Sequence, residues 1–157
     1  MQRVPMTPNG YQVLQQELEQ LKKIERPKVI EDIATARAHG DLSENAEYDA
    51  AKERQGFIEA RIRELESKIG LAEVIDPATI NSDKVEFGAT VEVIDLDTDK
   101  KNTYTIVGDD EANPDEGKIN VLSPLAKALI GKRVGDEAEF QAPGGERAYE
   151  ILNITYG

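Results

Sequence analysis

Cysteine and tryptophan are absent from the 157 residues, and there is a single histidine, His39. Thiol catalysis, disulfides and cysteine-bound zinc are therefore excluded, and a histidine-based metal site or catalytic triad has too few members. Aromatic residues make up only 5% of the chain, too few to fill a core and also line an aromatic ligand pocket. No continuous apolar run is long enough to span a bilayer, and the opening MQRVPMTPNG lacks the basic, apolar and small-residue order of a signal peptide. The expectation is a cytoplasmic protein with no membrane partner.

Positive charge is scarce as well. Nineteen Lys and Arg stand against 31 Asp and Glu, a net charge of -12. Repulsion from phosphates then argues against broad nucleic-acid binding and favours a partner that brings its own basic surface. Residues 1–76 hold 11 basic and 15 acidic side chains, and residues 77–157 hold 8 and 16, so the first part repels RNA less.

Two segments of different period make up the chain. Thr7 is a good helix N-cap, Pro8 suits the first helical position, and Tyr11, Leu14, Leu18 and Leu21 recur at alternating spacings of three and four, a coiled-coil seam. Pro27 predicts a bend, after which Ile30, Ile33 and Arg37 continue the stripe in a shifted register, and Gly40 ends the helix. A second helix carries Ala51, Gln55, Ile58, Ile62, Leu65, Ile69 and Ala72 and stops at Asp76-Pro77. A short connection between two long striped helices forces an antiparallel hairpin, an arm on the order of 45 Å long.

Beyond Asn81-Ser82-Asp83 the period becomes two. Strands are predicted at Val85–Phe87, Ala89–Ile94, Thr103–Val107, Lys118–Leu122, Glu137–Ala142 and Ala148–Tyr156, with a hairpin turn at Pro143-Gly144-Gly145 and a short helix starting at Ser123-Pro124. The fold class is α+β: a coiled-coil arm over residues 1–76 and a compact, mostly antiparallel sheet domain over residues 77–157.

The hairpin turn reads His39-Gly40-Asp41-Leu42-Ser43-Glu44-Asn45-Ala46-Glu47-Tyr48 and sets two carboxylates, Asp41 and Glu44, three residues apart at its most exposed point. One reading makes Asp41 an N-cap and Glu44 its capping-box partner. The other makes both oxygen ligands for Mg²⁺, a hard ion content with one or two carboxylates plus water and phosphate. Two acids alone make a poor site, so the second reading requires ligands from another protein.

GDLSENAEYDAA at Gly40–Ala51, FGATV at Phe87–Val91, IVGDDEA at Ile106–Ala112 and SPLAKALIGK at Ser123–Lys132 resemble signatures of the Gre family of bacterial transcript cleavage factors, in the same order and across nearly the whole chain. The resemblance implies a coiled coil that enters the secondary channel of RNA polymerase and an FKBP-like domain that docks on the channel rim. It places Asp41 and Glu44 at the family's two tip acids, which help hold a Mg²⁺ shared with the polymerase near backtracked nascent RNA. On this view the protein is a monomeric cofactor and the polymerase is the hydrolase. Arg37, Lys52 and Arg54 are candidates for RNA phosphate contact, with a solvated, ion-paired helix face as the rival explanation. Asn45, Tyr48, Ser123 and Pro124 are candidate polymerase contacts. Ser43 stands where some members carry a basic residue, which thins the RNA-gripping patch. Leu122 replaces an expected polar residue, so rim docking differs in detail. Rival functions are a channel-binding inhibitor on the same scaffold, a proline isomerase and a plain coiled-coil adaptor.

Overall fold

The computed structural model describes residues 2–41 and 45–157. Contacts divide the chain into one unit of residues 11–71 and another made of residues 2–10 with residues 72–157. The first few residues thus pack with the second unit rather than with the arm, as a single cut after residue 76 would have it.

In the first unit, α1 (Pro8–Gln20) runs through a π-helical turn at Leu21–Glu25 into α2 (Arg26–Arg37), and α3 (Ala46–Leu71) returns beside them. Thr7 caps α1 as its sequence position suggests, its Oγ1 accepting the Gly10 N–H at 3.1 Å. Leu14, Val29, Ile33 and Ala36 are buried, as are Ala51, Ile58, Ile62 and Leu65 of the seam expected for the second helix, and Val29, Ile58 and Ile62 form one packed cluster with Leu18 and Leu21. On the first helix the seam differs from expectation: Ile30 is 52% exposed and Arg37 is exposed, while Val29 and Ala36 take the buried places. The cause is the π turn, in which the Arg26 N–H bonds to the Leu21 carbonyl, because a wider turn absorbs one extra residue and advances the stripe by one. Pro27 follows in the first turn of α2, where its missing N–H costs nothing.

Among the described residues, four ion pairs cross between the helices: Glu17 with Arg61, Lys22 with Glu66, Arg26 with Glu59, and Asp32 with Arg54. From Lys22 to Asp32 the partners run backwards along α3, as in antiparallel neighbours, whereas Glu17 reaches a residue nearer the tip than the partner of Lys22. At about 1.5 Å per residue the 26 residues of α3 span roughly 39 Å. This helix stops short of the expected end at Asp76, because Ala72–Val74 leave it to form β2, which pairs in parallel with β1 (Val4–Met6).

The second unit holds a five-stranded mixed sheet in the order β5-β4-β3-β7-β6, from β3 (Thr90–Asp95), β4 (Lys101–Val107), β5 (Lys118–Asn120), β6 (Glu137–Ala142) and β7 (Gly145–Thr155). Within this sheet β4 and β5 pair in parallel and the other neighbours antiparallel. The short helix α4 (Pro124–Leu129) inserts Ala126 and Leu129 into a core with Val85, Val91, Val93, Ile106 and Ile151, all fully buried. Class and arrangement are those the sequence predicts, α+β with a small FKBP-like sheet domain. Val85–Phe87 is not a strand, however: Val85 is held by hydrogen bonds to Gly131 and Lys132, and the chain then turns, the Ala89 N–H reaching the Glu86 carbonyl at 3.0 Å. Gly88 sits in that turn at a φ of 88°, a conformation that favours glycine.

Candidate functional site

The tip of the hairpin is built by residues from both helices. α2 ends at Arg37, and Gly40 follows at a φ of 105° with its N–H on the Arg37 carbonyl, the reversal that frees the chain from the helix. Asp41 is exposed beyond it. Glu44 lies outside the described residues.

α3 begins at Ala46, and Asn45 is its N-cap: Oδ1 accepts the Tyr48 N–H at 3.1 Å while the Asn45 carbonyl accepts the Asp49 N–H. The N-cap of α3 is thus Asn45. Asn45 also turns its amide the other way, Nδ2 donating to the Ala36 carbonyl at 2.7 Å. Two further contacts join the same ends. His39 Nδ1 lies 3.2 Å from Glu47 Oε2, and the Arg37 guanidinium sits over the Tyr48 ring at 5.8 Å from its centre, a cation–π contact.

The candidate RNA contacts fall into different settings. Arg37 leans on Tyr48 at the tip, Lys52 reaches Gln55 on its own helix at 3.3 Å, and Arg54 pairs with Asp32 across the arm. Asp32, Thr35, Glu47 and Arg54 share one surface depression on the tip-ward part of the arm, whereas His39, Asp41 and Asn45 line another. Asn45 and Tyr48 are both half-buried within the tip.

Along the arm, the hydrogen bond from Arg61 holds Glu17 below the usual carboxylate range, and the one from Arg26 does the same for Glu59. These carboxylates stay ionised and cross-linked at neutral pH. Among the described residues no cluster of three or more His, Asp or Glu side chains could hold a metal ion unaided.

In the second unit, Ser123 caps α4, its Oγ accepting the Ala126 N–H at 3.2 Å, and Pro124 occupies the first helical position. Both border a mainly apolar cavity of about 300 Å³ together with Ile119, Leu125, Phe140 and Pro143. Leu122, immediately before them, is 65% exposed, an apolar side chain where a hydrogen-bonding one was expected. Sequence reasoning missed the two-sided bonding of Asn45. The signal lay in the first helical residues: with Ala46 starting the helix, Asn45 is a strong N-cap.

The profile described as "Transcription elongation factor, N-terminal" matches residues 4–74, and that described as "Transcription elongation factor, GreA/GreB, C-term" matches residues 80–156. The chain belongs to the GreA/GreB family of transcription elongation factors. Its relatives include proteins named transcription elongation factor GreA in Syntrophotalea carbinolica, 59% identical over 99% of this chain and 98% of that protein, and in Hyphomonas neptunium, 57% identical over 99% of both. The GreA of Neisseria meningitidis serogroup A is 59% identical over 99% of both chains. Among solved structures, GreA factor homolog 1 of Thermus thermophilus aligns with 98% of this chain and 99% of its own at 29% identity and a TM-score of 0.45.

Proposed function

We propose that this protein is a transcript cleavage factor of bacterial RNA polymerase, acting in the cytoplasm as a monomer. The arm enters the secondary channel and the sheet domain docks on its rim through Ser123 and Pro124. The observation that carries this reading is the placement of Asp41: an exposed carboxylate on the turn of a helical hairpin that cross-helix ion pairs brace. Family membership supports it.

Asp41 and Glu44 supply hard carboxylate oxygens, the donor type that Mg²⁺ prefers, but too few for a site of their own, so they act beside carboxylates of the polymerase. Asp41 and Glu44 would help hold a second Mg²⁺ there, which when bound would supply water activation and stabilisation of the leaving oxygen of the RNA phosphodiester. This chain contributes position. The arm carries the acids, its cross-links limit their wandering, and Arg37, Lys52 and Arg54 offer charge to the phosphates of extruded RNA. Asn45 and Tyr48 lie where the tip meets polymerase or RNA. Hydrolysis belongs to the polymerase, so the protein is a cofactor of that enzyme. A channel-blocking inhibitor could use the same arm, but the relatives carry the name of elongation factors.

The test is a stalled, backtracked elongation complex with RNA labelled at its 3′ end. Addition of the protein should release short 3′ fragments and restart synthesis. A persistent stall with no fragments would favour the inhibitor.

A further inference from the structure

We infer that Asn45 is a positioning residue of the tip, a role that rests on the cleavage reading above and replaces its proposed contact with polymerase. Helix α2 stops at Arg37 and α3 starts at Ala46, and the chain between them carries Asp41 and Glu44. A helix end leaves carbonyls and N–H groups without partners inside the helix. Asn45 serves both ends with one side chain: Oδ1 takes the Tyr48 N–H of α3 and Nδ2 gives a hydrogen bond of 2.7 Å to the Ala36 carbonyl of α2.

Few residues can do both. Serine, threonine and aspartate are good N-caps, but none has a terminal amide to donate across the hairpin. An N-cap alone would leave the two helix ends free to part. The amide bond clips residue 36 to residue 45, and the acids lie on the chain between. The neighbouring links, His39 to Glu47 and Arg37 to Tyr48, join the same ends, but His39 and Glu47 keep 56% and 72% of their side chains exposed, whereas Asn45 is half-buried. Asn45 is thus more sheltered than the His39–Glu47 pair. Precision at that point matters because a displacement of about 1 Å at a reacting centre costs roughly 100-fold in rate.

Asn45→Ser separates the two functions of the side chain, since the hydroxyl still caps α3 but is too short to reach Ala36. In the free protein, nitrogen relaxation measured by NMR should show order parameters falling at Gly40 and Asp41 while the melting temperature of the arm is little changed. Order parameters equal to wild type would overturn the inference whether or not the protein cleaves RNA. In the backtracked complex, the maximal cleavage rate should fall roughly tenfold or more while the concentration giving half-maximal rate moves less than about twofold. A contact residue would behave in the opposite way, with an unchanged maximal rate and a raised half-maximal concentration, and that result would also overturn it. Asn45→Asp, of the same shape but without the donor, should share the loss of order. Absence of cleavage by the wild-type protein would instead defeat the functional reading, leaving the relaxation measurement to decide the role of Asn45.

Discussion

Arg61 and Glu17 meet across the two helices of the arm through a pair of nearly parallel hydrogen bonds, Nε to Oε2 at 2.6 Å and Nη2 to Oε1 at 2.8 Å. Both side chains remain more than a third exposed, so solvent screens the pair, and a double-mutant cycle with Arg61→Ala and Glu17→Gln should give a coupling of about 0.5–1 kcal/mol in thermal unfolding. The pair also sets a pH dependence. The carboxyl of Glu17 is held below its unfolded value by the hydrogen bond from Arg61, so its contribution is complete above the ordinary glutamate range and is lost as pH falls through the lowered value. Glu59 and Glu64 are lowered for the same kind of reason, by Arg26 and by Lys68 with Arg61. The melting temperature should therefore fall on acidification below the ordinary glutamate range, and more steeply in wild type than in Glu17→Gln.

The π turn makes a second prediction. Removing Ile24, which is 53% exposed, takes out the residue that the turn absorbs and brings Leu14, Leu21, Val29 and Ile33 into a regular heptad. The regular helix then meets Pro27, whose ring clashes with the carbonyl four residues earlier, so the deletion alone should destabilise by about 3 kcal/mol. The deletion combined with Pro27→Ala should recover most of that in chemical unfolding. An equal loss in both would show that the π turn has another cause.

Thr7 and Glu111 give a third. The Thr7 N–H and hydroxyl both donate to the Glu111 carboxylate, and a methyl group on Gly10 would occupy the place of that side chain. Gly10→Ala should cost roughly 1–2 kcal/mol by displacing Glu111 from its partners. Because Glu111→Ala removes the same bonds, the double variant should lose less than the sum, which denaturant titration can read.

Lys52 and Arg54 should behave differently although both are candidate RNA contacts. Neutralising Arg54 breaks its pair with Asp32 and lowers arm stability by less than about 1 kcal/mol, whereas neutralising Lys52, which hydrogen-bonds Gln55 on its own helix, leaves stability nearly unchanged. On complexes with long extruded RNA, Lys52→Gln should weaken cleavage and flatten its salt dependence if the residue reaches phosphate.

Much of the fold was legible because period translates directly into burial. The alternation along Ala89, Val91 and Val93, and the threes and fours of Ala51, Ile58, Ile62 and Leu65, each name a buried face. The shifted seam at Val29 and Ala36 was not, since one inserted residue reads as ambiguity until the π turn shows where it is absorbed. Nor was the strand at Ala72–Val74, three residues that continue a helical pattern but whose state is decided by a distant partner at Val4–Met6. At the tip the residue types were readable and the bonding was not. Asp41 and Asn45 are both N-cap residues, and only the start of α3 at Ala46 assigns the cap to Asn45.

The central claim is that the tip acids act on chemistry rather than on folding, and one measurement separates these: single-turnover cleavage of a backtracked complex by Asp41→Asn with Glu44→Gln at limiting Mg²⁺, alongside competition with wild type for polymerase. The account predicts a loss of roughly 100-fold or more, about 3 kcal/mol of transition-state stabilisation, with undiminished competition, an unchanged melting temperature and partial recovery at high Mg²⁺. Cleavage at the wild-type rate in the double variant would contradict it.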